Sequence, residues 1–259
     1  CATLLGARHF TIADGTFRNG KKVGLQLGDP DLPRSVEGGY EIIANNLYFI
    51  CNLPGLAGNV GFWTNIGDAH FTDLVVVDYT IGICDLRWSN RYTRCHVWGG
   101  TVPPKGMTLR EWSEYYAKVK KLDLAGKFDA AVERELLAKG LPEMLKGSIA
   151  FDIRSWSSVF DGCYADTAEI GYNVLHGAII RSSGFFNNRR MGLRKSTAIV
   201  HRGGSLTVDG CDFRSVTKCE KLYEGDGKNL IWSNVRASGG DQMAEAAARL
   251  STSGRNGKR

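Results

Sequence analysis

The sequence predicts an all-β solenoid: a right-handed, single-stranded parallel β-helix with one helical insertion and a C-terminal capping helix. Three observations carry the prediction. The apolar runs are only three or four residues long, too short for helices. A turn followed by an aromatic recurs at Asp14-Gly15-Thr16-Phe17, Asp161-Gly162-Cys163-Tyr164, Ser183-Gly184-Phe185-Phe186 and Asp209-Gly210-Cys211-Asp212-Phe213. The glycines of the last three fall 22 and 26 residues apart, and Asn234 follows 24 residues later, which suits one solenoid coil.

Taken in order, the chain opens on Leu4-Leu5-Gly6 and a strand-like His9-Phe10-Thr11-Ile12, a start that reads as processed or truncated. Residues 1–106 form the first part of the β-helix, with Leu74-Val75-Val76-Val77 as its clearest strand. Residues 107–146 change period. Leu109, Trp112, Tyr116 and Val119, then Phe128, Val132 and Leu136 or Leu137, recur at helical spacing, and Thr108-Leu109-Arg110-Glu111 reads as a capping box. Gly126 and Gly140-Leu141-Pro142 divide and end the helical pieces. Residues 147–240 resume the solenoid through Ile149-Ala150-Phe151, Ala178-Ile179-Ile180, Ala198-Ile199-Val200, Leu206-Thr207-Val208 and Leu230-Ile231-Trp232. Asn19, Asp166 and Asn188, each four residues after a turn glycine, are expected to share one polar slot. In residues 241–259, Met243, Ala247 and Leu250 line one face of a capping helix ahead of a basic tail. The whole reads as one domain.

A 43% hydrophobic content, 32 glycines and six prolines describe a folded chain rich in turns. The formal charge of +6 permits an acidic polymer as partner, although part of it sits in the tail from Gly254 to Arg259. Basic residues do not interleave with aromatics or form a reading motif, so nucleic acid is not predicted. No apolar run approaches the roughly 18 residues of a membrane span. The seven cysteines, Cys1, Cys51, Cys84, Cys95, Cys163, Cys211 and Cys219, lack zinc-ligand spacing and read as buried thiols, so neither metal nor cofactor is predicted.

At Phe71-Thr72-Asp73-Leu74-Val75-Val76-Val77-Asp78, at Asn90-Arg91-Tyr92-Thr93-Arg94-Cys95-His96-Val97-Trp98-Gly99 and at Asp161-Gly162-Cys163-Tyr164-Ala165-Asp166-Thr167, the chain resembles pectate-lyase-like β-helix proteins. That group includes phage tailspikes and polysaccharide-degrading enzymes. The resemblance covers roughly residues 8–236 outside the insertion. It implies a secreted, cell-surface or virion-associated protein that acts on or holds a polysaccharide, often as a homotrimer. The Asn-Thr-Asp, Asp-Asp and Gly-His-Gly set of polygalacturonases is absent, as is a complete pectate-lyase signature.

Glycoside hydrolysis needs two carboxyl groups, about 5 to 5.5 Å apart for retention or about 6.5 to 9.5 Å for inversion. Asp161 and Asp209 are expected two coils apart, about 9.6 Å, with Ser183 between them. The same aspartates also suit plain turn caps. Asp166 and Glu169 form a second acidic set. His176 and His201, and likewise His70 and His96, are spaced to stack on neighbouring coils. Arg181, Arg189, Arg190, Arg194, Lys195 and Arg202 are placed to grip an acidic sugar or to steady a carboxylate during β-elimination. Trp63, Trp88, Trp98 and Trp156 are candidate sugar platforms or packing groups. The expected function is a glycoside hydrolase or polysaccharide lyase. Asp161, Asp209, Asp166 and Glu169 are its candidate catalytic groups, and Arg181, His176, His201, Arg202, Trp156 and Trp88 its candidate binding groups. The alternative is a non-catalytic glycan-binding module or stalk.

Overall fold

The computed structural model describes residues 2–6, 8–29, 31, 39–53, 56–104, 106–127, 130–140, 143–186, 196–213 and 221–237. The expected C-terminal helix and tail, Cys1, Cys219, Phe128, Pro142, Asn188 and the basic residues Arg189, Arg190, Arg194 and Lys195 lie outside the described residues.

The fold is all-β and parallel. Among the described residues the chain alternates between an eight-stranded and a thirteen-stranded sheet, and within these two sheets each strand after the first pairs in parallel with the strand one circuit earlier. One circuit runs Ile149–Ile153 in the smaller sheet, then Ser158–Asp161 and Tyr164–Asp166 in the larger, then back to Ile170–Val174.

Alternation along each strand sends one set of side chains inward. Leu25, Phe62, Ile83, Phe151, Tyr172 and Ile199 stack on successive rungs of the smaller sheet, all fully buried. Ala44, Phe71, Tyr92, Phe160, Ile180 and Val208 do so in the larger. The two rows meet across the interior, with ring centroids 4.9 Å apart for Phe62–Phe71 and 5.6 Å for Phe151–Phe160. At two positions of the smaller sheet the packing leaves no space for a side chain and glycine is required. A Cβ on Gly61 would come within 2.3 Å of Val76 Cγ1, and one on Gly82 within 2.2 Å of Val97 Cγ1.

The larger sheet bends along one row of left-handed residues: Asp14, Asn46, Asp73, Arg94, Gly162, Ser182, Gly210 and Asn234, all with φ between 50° and 62°. Asp and Asn tolerate this conformation through local hydrogen bonding. The ladder continues through the bend, because Arg94 N donates to Asp161 O, Gly162 N to Arg181 O, and Ser182 N to Asp209 O.

This row corrects the expected register. Gly162, Gly210 and Asn234 are equivalent, but Gly15 falls one position later and Gly184 two later. Asn19 aligns next to Asp166 and not with it, since Arg18, Ile50, Val77, Trp98 and Asp166 share a row. His70 pairs with Arg91, His96 pairs with Val75 and Tyr164, and His201 pairs with Val174, so neither expected histidine stack forms.

The insertion carries two helices, α1 (Leu109–Leu124) and α2 (Ala130–Lys139). Its neck is an antiparallel pair, Thr101–Val102 against Glu143–Met144. The capping box forms: Glu111 N donates to Thr108 Oγ1 at 3.2 Å and Thr108 N to Glu111 Oε2 at 2.8 Å. The Thr108 amide and hydroxyl, both donating to Glu111 Oε2, hold the Glu111 carboxyl below its ordinary range. Trp112 is buried, and the Lys139 ammonium lies 5.0 Å from the Tyr115 ring, joining the helices.

Candidate functional site

The outer face of the larger sheet carries three features in sequence along each circuit. The first is the edge where the chain arrives from the smaller sheet. Trp88 and Trp156 occupy adjacent rungs there, joined by Ser89 N donating to Trp156 O at 3.2 Å. His176 lies on the next rung, its ring centroid 5.1 Å from that of Trp156. Trp88 is held by the guanidinium of Arg87, 5.2 Å from its ring, and Arg87 is itself buried with Nε donating to Asn65 Oδ1. Trp156 is 44% exposed. Arg202 follows on the same edge and pairs with Glu224 at 3.2 Å. His201 does not join this surface. It faces inward, with Nε2 against Gly203 O at 2.9 Å and Nδ1 against Tyr223 Oη at 3.0 Å, so the buried imidazole clasps the turn that follows it. Trp63 belongs to the smaller sheet, opposite Cys84.

Beyond the edge runs an outward row containing Arg91, Val159, Ile179, Thr207 and Ile231. Two residues further lies a polar row: Thr93, Asp161, Arg181, Asp209 and Ser233. Asp161 and Asp209 are two rungs apart as expected, but Arg181 stands between them where Ser183 was expected. Ser183 is turned inward, donating to Arg181 O and accepting from Cys163 N, because the left-handed residue Ser182 shifts the register. Arg181 Nη2 lies 2.9 Å from Asp161 Oδ2. Asp209 Oδ1 accepts from Ser233 Oγ at 2.6 Å and Asn234 Nδ2 at 3.0 Å, and these bonds hold its carboxyl below the ordinary range. A carboxyl held ionised is poorly suited to donate a proton to a leaving group.

Past the bend comes a third group. His96 and Tyr164 are adjacent on one outward row, stacked with centroids 3.8 Å apart, and Tyr164 Oη lies 2.8 Å from His96 Nδ1. Asp166 Oδ2 lies 3.8 Å from His96 Nε2, while Thr167 Oγ1 donates to Asp166 Oδ1. The Asp166 side chain is only 6% exposed, and His96 Nε2 is buried without a hydrogen-bond partner. Burial first, and the Asp166 carboxylate second, push the Tyr164 phenol up from its ordinary value. Tyr164 is nonetheless 37% exposed, because the next rung of its row is Gly184, which has no side chain. Glu169 stands apart from Asp166, accepting from Gly147 N at 2.7 Å at the end of the insertion.

No family model matches the chain, and no curated protein and no solved structure matches it either. The geometry alone therefore carries the functional reading. Among the described residues, no group of three or more His, Cys, Asp or Glu side chains is placed to hold a metal, and no helix is long and apolar enough to cross a membrane. The five described cysteines are buried free thiols. Cys95, Cys163 and Cys211 share an inward row with Ser183, filling space beside the bend.

Sequence reasoning named Trp88, Trp156, His176 and Arg202 on the edge, and Asp161, Arg181 and Asp209 on the face. It missed Tyr164 and the pairing of His96 with Asp166. A signal was present in the alternation: Val97 and Ala165 are the small apolar members of His96-Val97-Trp98 and Tyr164-Ala165-Asp166, so their neighbours must face out.

Proposed function

We propose that the chain is a right-handed, single-stranded parallel β-helix of the pectate-lyase-like kind that engages an extracellular polysaccharide along the outer face of its larger sheet. On this reading it belongs among the glycoside hydrolases and polysaccharide lyases, and acts as a secreted, cell-surface or virion-associated homotrimer. One observation carries the proposal. A parallel sheet ordinarily has both faces covered, yet here the outer face offers Trp156, Ile179 and Ile231 to solvent beside a charged row. The rows repeat at about 4.8 Å, and a repeating surface of rings, methyl groups and fixed charges suits a repeating polymer. Aromatic faces stack on apolar ring surfaces while the paired charges orient hydroxyl or carboxylate groups.

A second reading, a binding module without turnover, is favoured by the engagement of Asp161 with Arg181 and of Asp209 with Ser233 and Asn234. Both readings share the binding face, and one measurement tests it. Trp156→Ala is expected to weaken retention on an immobilised polysaccharide panel by about tenfold or more, equivalent to about 1.4 kcal/mol, with an unchanged melting temperature. Equal retention of the variant on every polymer that holds the parent would remove this face from the proposal. A monomer mass in sedimentation would remove the trimer.

A further inference from the structure

We propose that protonation of Asp85 gates the tryptophan edge of the larger sheet, so that the edge is closed and ready for ligand in acid and loosened near neutrality. The inference rests on the polysaccharide reading above and adds its regulation. Asp85 ends the strand Ile81–Asp85 of the smaller sheet, pointing inward like Ile83, and is fully buried. The two turns that carry the tryptophans, residues 86–90 with Trp88 and 154–157 with Trp156, leave the smaller sheet here on adjacent rungs. Both turns close on the Asp85 carboxyl. Asn90 Nδ2 donates to Oδ1 at 2.8 Å from two residues beyond Trp88, and Ser155 Oγ donates to Oδ2 at 2.5 Å from the residue before Trp156. The turns are also tied to each other, because Ser158 Oγ donates to Arg87 O at 3.3 Å and Ser89 N to Trp156 O at 3.2 Å.

Every group that donates to this carboxyl is neutral. The charged groups around it are engaged elsewhere. Arg87 directs its guanidinium at Asn65 Oδ1 and the Trp88 ring. Cys84 and, on the next rung, Asp152 alternate to the opposite face of the smaller sheet, where Arg154 binds Asp152 at 2.8 Å and burial pushes the Cys84 thiol up. The preceding rung presents Thr64. Tyr92 Oη lies beside the carboxyl, buried without a hydrogen-bond partner, and burial pushes its phenol up as well.

An ionised carboxylate in the closed corner therefore has neither water nor, among the described residues, a bonded cation. Desolvation outweighs the hydrogen bonds and pushes the Asp85 carboxyl from 3.8 up to about 6. The closed corner binds the proton more tightly than a loosened, hydrated one would. Closure is thus favoured fully below pH 3.8, and that advantage is lost as pH rises to about 6. A water admitted beside Tyr92 Oη would satisfy the phenol and the carboxylate together, and the segments able to yield are the two turns bearing the tryptophans. A shift from 3.8 to about 6 limits the swing between the two arrangements to about 100-fold.

The test follows two readings of the full chain between pH 4 and 8: acrylamide quenching of tryptophan fluorescence, and retention on the polymer that best holds the parent. His176 stacks on Trp156, and histidine titrates in the same range, so the fluorescence reading is repeated in a His176→Gln background. In both backgrounds the tryptophans are expected to become more accessible to the quencher as pH rises through about 6. Asp85→Asn, of the same shape and neutral throughout, should show no such transition. Between pH 5 and 8 the retention of the parent relative to Asp85→Asn should fall by about threefold or more. Ser155→Ala removes a bond that favours the ionised form, so it should move the midpoint to higher pH, and it decides the matter if Asp85→Asn fails to fold. A parent without the transition, a transition abolished by His176→Gln or kept by Asp85→Asn, or a midpoint unmoved by Ser155→Ala would each overturn the inference. The polysaccharide reading would then stand wherever the parent is retained. An Asp85-dependent transition without retention on any polymer would leave the gate standing and overturn the polysaccharide reading.

Discussion

The buried corner around Asp85 and the outward row around Arg181 are made of the same materials: aspartate, arginine, serine and asparagine on successive rungs. Their physical states differ because water reaches only one of them. Asp85 is fully buried, and its oxygens accept from Asn90 Nδ2 at 2.8 Å and Ser155 Oγ at 2.5 Å. Even so, desolvation outweighs these bonds and pushes its carboxyl up to about 6. Asp209 accepts a similar pair of bonds, from Ser233 and Asn234, and because these outweigh its slight desolvation its carboxyl is lowered. A hydrogen-bond list alone would have made the two sites equivalent; solvent decides that one row specifies the fold and the other is free to meet a ligand.

The largest contrast is expected from deleting corresponding asparagines. Asn90 donates to Asp85 Oδ1 and Ile66 O and accepts from Ala69 N, all in the interior. Asn90→Ala strands a carboxylate, a carbonyl and an amide, each costing about 1 to 3 kcal/mol when unsatisfied, so a loss of about 3 kcal/mol or more is expected in denaturant unfolding. Asn234→Gly, which keeps the left-handed backbone at that position, removes a bond that water replaces and should cost well under about 1 kcal/mol. Equal losses would mean that the outer row is as structural as the inner one.

A smaller effect separates the two carboxylates by pH. The folded Asp85 carboxyl titrates at about 6, above its ordinary 3.8, so the native state holds its proton more tightly than the unfolded chain does. Its contribution to stability is complete below pH 3.8 and is lost as pH rises to about 6. A shift of that size corresponds to an upper bound of about 3 kcal/mol. In Asp85→Asn the amide oxygen can still accept from Asn90 and the amide group can donate to Ser155 Oγ. Unfolding free energy measured between pH 4 and 6 should therefore fall with rising pH in the parent and run flatter in the variant. Parallel curves would mean that the buried corner is wetter than its geometry states. Asp209 contributes in the opposite sense: its stabilisation is present above pH 3.8 and fades as pH falls below it.

The same contrast explains what was legible in the sequence. Burial writes itself into residue type, so the short apolar runs announced parallel strands and the thiols announced interior positions. The insertion was legible too, because its period changed and Thr108 and Glu111 supplied a cap. Register was harder to read. The left-handed row is occupied by Asp14, Asn46, Arg94 and Ser182 as well as by Gly162, so glycine positions alone misplaced Ser183 between two aspartates. Outward residues carry the weakest signal, because each must be placed on its rung before its neighbours are known. Trp88, Trp156 and His176 were recognisable by type, and only the register brought them to one edge. Of the aromatics that follow the turns, Phe17, Phe185 and Phe213 turn inward while Tyr164 turns out, a difference of a single position.

The smallest effect on stability is expected where the proposed function is densest. Arg181 and Asp161 are 49% and 33% exposed, and such a pair contributes about 0 to 1 kcal/mol in water. Arg181→Ala should therefore leave the melting temperature within about 2 °C, while weakening retention on acidic polysaccharides and flattening its dependence on salt. The second measurement matters because salt screens exposed pairs and ligand contacts alike. If retention falls and stability does not, the guanidinium is held between Asp161 and Asp209 for a partner outside the chain. If stability falls by several kcal/mol, the charged row is a strut of the fold, and the division between inner and outer polar rows fails at its centre.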